Sequence, residues 1–358
     1  VFPLFVGYFL TRLVNLTIIP IFCDEAIYIR WAQIMRAVQS LRFLPLSDGK
    51  QPFFMWLIIP FLKIFANPLI AGRLVSVITG FGTMAGVGVL SWLLFKKKEI
   101  SLFTSLLYIV VPFTLFFDRM ALADGLLSMF GIWCLVFFVL LTQTSRFDVA
   151  MISGILLGLG LITKSPALFF AFLLPLSIFL FDFKISLIRR RLLRLIFYWG
   201  IVLAFGYSIY NILRLGPEFQ MIAIRNKDYV YSFSEIVKHP FNPLVGHLKD
   251  TISWYWILLT PAIFLSGSAG IFLSFKKNFR SGVLIFMWWV IPIIAQSAVA
   301  KVYTSRYILF TVPIFLLFSA IAIEEFWRRM KSKVIVVSGL VIVFFLPVYQ
   351  SLLLISNP

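Results

Sequence analysis

The sequence predicts an all-α, polytopic membrane protein, and three observations predict it. Of its 358 residues, 61% are hydrophobic and only 13% charged, and the mean hydropathy is +1.00. A water-soluble domain of that make-up would lack the polar side chains to cover its surface. The apolar runs are continuous over about 17 to 25 residues, the length that crosses a bilayer as a helix, and they do not alternate as barrel strands do. Basic residues gather in short clusters between these runs, the pattern of cytoplasmic loops. The net charge of +18 therefore belongs to membrane topology and not to a nucleic-acid partner.

The order of elements follows from those clusters. KKK at 96–98, RRRLLR at 189–194, KKNFR at 276–280 and RRMKSK at 328–333 are assigned to the cytoplasmic side, so an even number of spans separates each from the next. Residues 99–117, 124–142, 149–163 and 166–182 supply four spans, 195–213 and 252–275 two, and 281–300 and 306–323 two more. The last span is 334–355, the first 1–20 and the second 70–95. The stretch QPFFMWLIIPFLKIF at 51–65 carries Pro60 and Lys63. As a helix it would reach only ~22 Å against a hydrocarbon core of ~30 Å, so it is expected along the outer interface. Beside it, DEAIYIRWAQIMRAV has apolar residues at 27, 31, 34, 35 and 38, the spacing of an amphipathic helix. The total is about eleven spans with the N-terminal end inside. They form one transmembrane unit over 1–358, with no separate soluble domain. Residues 21–69 make a first external loop carrying two interfacial helices, and 214–250 another external loop. The chain is apolar from Val1 onward, without a charged lead or small-residue cleavage site, so its start reads as trimmed rather than as a signal peptide.

This topology puts the polar residues most embedded in apolar sequence on one side. There lie Asp24 and Glu25, DGKQP at 48–52, DRMALAD at 118–124, TKSP at 163–166 and KVYTSRY at 301–307. Asp24 stands at the expected N-cap of the amphipathic helix, where a capping carboxylate contributes ~1 kcal/mol. Two adjacent acids at a lipid boundary exceed what a cap requires, and a partly desolvated carboxylate is a good general base; both readings stay open at this point. Lys50, Arg119, Lys164, Lys301 and Arg306 sit at outer helix ends, where snorkelling toward lipid phosphates is the plain explanation. Lys164 differs, because the span before it is ~22 Å long and leaves it below the outer surface. A cation at that depth needs an anion, and a phosphate from the lipid phase would serve. Asp124, five residues after Arg119, caps its span, pairs with Arg119 or serves the site.

Other residues carry bland readings. Gly154 and Gly158 have the spacing of close helix packing. Arg12 has no partner visible in sequence. His239 and His247 lack the companions of a metal site, and Cys23 and Cys134 do not make a disulfide framework. The aromatic-rich stretch at 214–250 contains Pro217, Pro240 and Pro243 and suits either a cover over a site or a connector.

In order along the chain, DEAIY, GKQPFFMW, RMALADGLL, GLGLITKSPA and SRYILFTVPI resemble motifs of the C-type (GT-C) glycosyltransferases. The resemblance is strongest to the protein O-mannosyltransferase and aminoarabinose-transferase branch, and covers most of the chain. It implies a GT-C fold and an integral-membrane enzyme that moves a sugar, most commonly mannose, from a polyprenyl-phosphate donor of the dolichyl or undecaprenyl type. The sugar would pass with inversion to an acceptor hydroxyl outside the cytoplasm. The resemblance implies Asp24 as the base and Glu25 as its support. It places Lys50 near the donor phosphate, although Gln51 stands where the family has a proline before Pro52. Arg119 and Asp124 match an arginine and aspartate five apart, Lys164 a lysine of the phosphate site, and Arg306 and Tyr307 an RY pair at the donor site. The chemistry is consistent: cations neutralise charge developing on a leaving phosphate, a base meets the attacking hydroxyl, and a single displacement needs one carboxylate rather than a flanking pair. No cofactor is then required, with a divalent ion at the acid pair left open. The family's larger members carry a soluble domain that this sequence does not show, so the acceptor stays open among protein, glycan and lipid, and a prokaryotic plasma-membrane enzyme is expected. The competing reading is a transporter or flippase of a lipid-linked sugar, which should bury polar groups at mid-membrane between two related halves.

Overall fold

The computed structural model describes residues 2–184 and 187–356, and their regular structure is helical; the one β contact among them is an isolated bridge between Val230 and Ala300. The chain starts with α1 (Phe2–Leu13), α2 (Cys23–Ala37), α3 (Phe53–Ile64) and α4 (Pro68–Phe95). It continues through α5 (Lys98–Val110), α6 (Pro112–Asp118), α7 (Ala123–Thr144), α8 (Phe147–Leu161), α9 (Leu168–Leu173) and α10 (Ile188–Tyr210). Two short helices, α11 (Met221–Tyr229) and α12 (Phe233–Lys238), precede α13 (Leu244–Leu258), α14 (Pro261–Lys277), α15 (Phe279–Val299), α16 (Val312–Arg329) and α17 (Lys333–Ser356). The protein is an integral, multi-pass membrane protein.

Among the described residues 6 helices are long and apolar enough to cross a bilayer, or up to 8 when two bent pairs are each counted as one span. The expected count of eleven is not reached on that criterion. Three expected spans, 1–20, 149–163 and 166–182, are built from apolar helices of only 10–17 residues. The expected span 252–275 is also broken: α13 and α14 meet at 119°, with Thr260 at φ 76° before Pro261. Because α13 already starts at Leu244, the end of the expected external stretch 214–250 is helix. The two helices expected in the first loop form as α2 and α3, which pack on each other and on α4.

The first span stops early. After Leu13 the chain turns through residues 14–22 without regular helix. Backbone carbonyls away from water must find donors. Arg119 supplies Val14 at 3.0 Å and Asn15 at 2.5 Å, and Arg73 supplies Leu16 at 2.7 Å and Ile19 at 2.9 Å.

The core is built on α4, α5, α7 and α16, which pack together, with α14 laid along α16 and α10 along α8. The last contact depends on absent side chains. A Cβ on Gly154 would lie 2.6 Å from that of Phe205, and one on Gly158 2.6 Å from that of Ile209, so the small residues let α8 and α10 close up. Three basic clusters converge at one end of the bundle, where Lys97 and Lys277 reach Glu324 at 2.7 and 2.6 Å. The other end holds α2, α3, the turn at 44–50, the turn after α8 and the loop before α16.

Candidate active site

At that second end, carboxylates and cations from five separate segments meet. Asp24, in the first turn of α2, has Arg306 Nη1 2.5 Å from Oδ2 and Lys50 Nζ 3.5 Å from Oδ1. Lys50 follows a 3-10 turn that ends at Gly49, whose φ of 68° lets the chain reverse. Its ammonium also contacts Asp48 at 3.3 Å and lies over the rings of Tyr28 and Trp31 at 5.4 and 5.6 Å. Lys164, just past α8, pairs with Asp124 at 2.5 Å and lies 4.7 Å from the Tyr307 ring centre. Arg306 spans the two halves, 5.3 Å from the ring centres of both Phe22 and Tyr307. Six sequence-predicted residues, Asp24, Lys50, Asp124, Lys164, Arg306 and Tyr307, thus form one cluster.

The cluster is partly desolvated. Side-chain exposure is 18% at Asp24, 16% at Arg306, 21% at Lys164 and 3% at Asp124. Burial alone would raise the Asp24 carboxyl; the Arg306 and Lys50 charges outweigh it and hold the group below the ordinary carboxylate range. Burial, with the Asp124 and Asp24 charges, keeps the Tyr28 hydroxyl protonated well above its usual range. The anion that the depth of Lys164 demands is Asp124. Its Oδ1 takes the lysine, while Oδ2 is buried with no hydrogen-bond partner among the described residues. The site can hold an anion on Lys164 and Arg306, offer a carboxylate at Asp24, and accept a hydroxyl at Asp124.

Residues 49–210 match a family model described as dolichyl-phosphate-mannose-protein mannosyltransferase. None of the curated proteins matches the sequence. Among solved structures, ArnT from Cupriavidus metallidurans bound to undecaprenyl phosphate superposes with a TM-score of 0.63 at 15% identity, over 95% of this chain and 62% of that one. The same protein in the apo state gives 0.62 at 14%, over 98% and 70%. The fold is GT-C. The oligosaccharyltransferase AglB from Archaeoglobus fulgidus, in complex with an inhibitory peptide and a dolichol-phosphate, shares this fold more distantly, with a TM-score of 0.54 at 15% identity over 85% of this chain and 47% of that one. The chain therefore spans about half the length of the archaeal protein. Lys50, Asp124 and Lys164 lie inside the stretch matched by the family model, while Asp24 and Arg306 lie outside it and join the cluster through their contacts.

Two predicted residues are elsewhere in this GT-C fold. Glu25 is fully buried and takes Arg73 on both oxygens, each at 2.8 Å. It also accepts the backbone N–H of Ala121 at 2.8 Å and of Phe22 at 3.3 Å. Glu25, not Asp24, is thus the capping acid of α2, and Asp24 is released to face the cluster. Arg119 is buried and serves the carbonyls of the chain after α1; it makes no ion pair with Asp124 among the described residues. Arg12 finds its partner in Asp118 at 3.3 Å, inside a buried set with Tyr8 and Tyr108.

Sequence reasoning missed Tyr28, Trp31, Gln51 and Ser165. Tyr28 and Trp31 stand four and seven residues after Asp24, on the same helix face, which was the available signal. Gln51, where the family motif has proline, donates to Ser165 Oγ at 2.8 Å and ties the Lys50 turn to the Lys164 turn. The segment after α10 also spans the site loops. Arg225 holds Asp48 at 2.6 Å, and Tyr229 and Tyr231 exchange backbone bonds with Lys301 and Val299 at 2.8 Å. Lys301 itself donates to the Lys227 carbonyl at 2.8 Å. Among the described residues no three His, Cys, Asp or Glu side chains are grouped to hold a metal; His247 stacks on Tyr303 with ring centres 4.5 Å apart.

Proposed function

We propose that this protein transfers a sugar, mannose by preference, from a polyprenyl-phosphate donor of the dolichyl or undecaprenyl type to an acceptor hydroxyl on the extracytoplasmic side, with inversion. The observation that carries the proposal is the pairing of Arg306 with Asp24 beside the Lys164–Asp124 pair. In one small, half-buried place stand a carboxylate for the acceptor and cations for a phosphate. Neighbours in fold are seen with undecaprenyl phosphate and with dolichol-phosphate and a peptide, which supports a lipid-linked donor.

The residues divide the work as follows. Lys164 and Arg306 take the donor phosphate and neutralise the charge that develops as the glycosidic bond breaks. A phosphate that draws Arg306 away from Asp24 leaves that carboxylate in a desolvated place with one cation fewer, so its basicity rises when the donor is in place. Asp24 then accepts the proton of the attacking hydroxyl, and the polyprenyl phosphate leaves. Asp124 Oδ2 accepts a sugar hydroxyl, and Tyr28, Trp31 and Tyr307 wall the site. Glu25 and Arg119 support this arrangement through the backbone and do not touch the reacting groups. A divalent ion plays no part in this scheme.

The test uses the protein in lipid nanodiscs with radiolabelled polyprenyl-phosphate mannose, with and without a membrane extract as acceptor source. Release of polyprenyl phosphate is followed for wild type and Asp24→Asn. Loss of one general base should reduce transfer by ~10²–10⁴-fold while donor binding persists. Donor that binds both proteins and stays intact with every sugar tried, or crosses the bilayer unconsumed, would end the transferase reading in favour of a lipid-linked sugar transporter.

A further inference from the structure

At the end of the bundle opposite the candidate active site, a cleft of about 530 Å³ opens between the α4–α5 turn, the α14–α15 turn and the end of α16. Lys96, Lys97, Lys276, Lys277, Arg328 and Arg329 line it. Two acids answer these six cations. Glu324 takes Lys97 at 2.7 Å and Lys277 at 2.6 Å, and Glu325 takes Lys277 at 2.5 Å, Arg328 at 2.7 Å and Arg329 at 2.5 Å. Six positive and two negative charges leave +4 in one cleft. Lys96 and Lys276 are exposed and make no ion pair among the described residues; Lys96 lies only over the Trp92 ring, 4.6 Å from its centre. Lys96 also holds a left-handed backbone, φ 54°, at the C-cap of α4, a position that glycine or asparagine ordinarily takes. The cleft is two-faced: Leu94, Ile100 and Leu273 contribute apolar lining. Trp92 and Phe272, one turn before the free lysines, and Trp327, next to Arg328, are exposed apolar side chains on the apolar helices α4, α14 and α16.

We propose that this cleft binds the headgroup of an anionic membrane lipid carrying two phosphates, its acyl chains lying along Trp92, Phe272 and Trp327. Basic clefts between membrane helices suit such headgroups, and a charge of +4 exceeds what one phosphodiester neutralises. A soluble polyphosphate would use the cations and leave the apolar flank unmatched. Separate snorkelling lysines would need neither a shared cleft nor a common pair of buried acids. The proposal is independent of the transferase reading, and its test does not involve transfer.

Full-length protein, purified in neutral detergent with phosphatidylcholine, is titrated with diphosphatidylglycerol, phosphatidylglycerol, more phosphatidylcholine, or inorganic pyrophosphate. Bound lipid is read by native mass spectrometry and Tm by thermal unfolding. One diphosphatidylglycerol should stay bound and raise Tm. The variant Lys96→Gln/Lys276→Gln removes two cations that hold no acid, so it should unfold like wild type without lipid. It should bind at least tenfold more weakly, while Arg30→Gln at the other end binds as wild type. Equal retention of phosphatidylcholine or phosphatidylglycerol, unchanged binding by the double variant, or equal stabilisation by pyrophosphate would each overturn the assignment; the last would make the cleft a site for free polyphosphate.

Discussion

Adjacent acids in this chain have opposite environments: Asp24 faces a half-open cluster of cations, and Glu25 lies fully buried in the interior. Their substitutions should therefore fail differently. Glu25→Gln leaves Arg73 as a buried charge without its partner, which costs ~3–5 kcal/mol. It should appear as lost folded protein and a large fall in Tm, whereas Asp24→Asn, which replaces a partly exposed carboxylate, should lower Tm less, stay folded and lose transfer; a stable, fully folded Glu25→Gln protein would refute the structural role. A pH profile tests the base itself. The folded-state Asp24 carboxyl is depressed, so its ion pairs stabilise the protein above the ordinary carboxylate value of ~3.9 and are lost as pH falls through the lower, folded-state value. In the free protein Asp24 is ionised throughout the neutral range, and the acid limb of kcat/KM should fall below the ordinary carboxylate value. On the proposed mechanism, in which donor phosphate draws Arg306 away from Asp24, the acid limb of kcat should lie at higher pH than that of kcat/KM. Removal of the cation by Arg306→Gln should move the kcat/KM limb upward; a limb that ignores Arg306 would mean that another group titrates.

Helix contacts here rest on small residues as much as on large ones. Gly270 of α14 faces the backbone of α16, and a Cβ there would overlap the Phe318 carbonyl. Backbone cannot swing aside as a side chain does, so Gly270→Ala should destabilise by ~1–3 kcal/mol, read as a fall in Tm; Gly246→Ala, with open space around it, should leave Tm unchanged. The elements themselves were largely legible. Long apolar runs and basic clusters located α4, α7, α10, α15, α16 and α17, and the spacing of apolar residues located α2. The early end of α1 and the bend at Thr260 were not legible. At Thr260 the following Pro261 biases the chain away from helix but does not give the 119° turn, and at α1 the donors that serve the turning chain, Arg73 and Arg119, come from elsewhere in the sequence.

Across the whole molecule, the polar cluster occupies one end and the basic cleft the other, and the charge rule used on the sequence expects the basic end in the cytoplasm. Cys23, exposed at the start of α2, and the buried Cys134 allow that sidedness to be tested without new cysteines. A membrane-impermeant maleimide added to intact cells should label Cys23 alone; labelling that requires opened membranes would place the site on the cytoplasmic side. Length, hydrophobicity and charge clusters are local properties, so the sequence by itself determined the membrane class and most helix positions; the motif resemblance named eight site residues, of which six meet in the cluster. Only tertiary structure decided who pairs with whom. Glu25 meets Arg73 across 48 residues of sequence, and Arg12 meets Asp118 across 106. Arg119 turns from the site to the carbonyls after α1 because a non-helical stretch in a low-dielectric interior needs donors. Such choices depend on which groups packing brings within hydrogen-bond reach, and no local pattern encodes that.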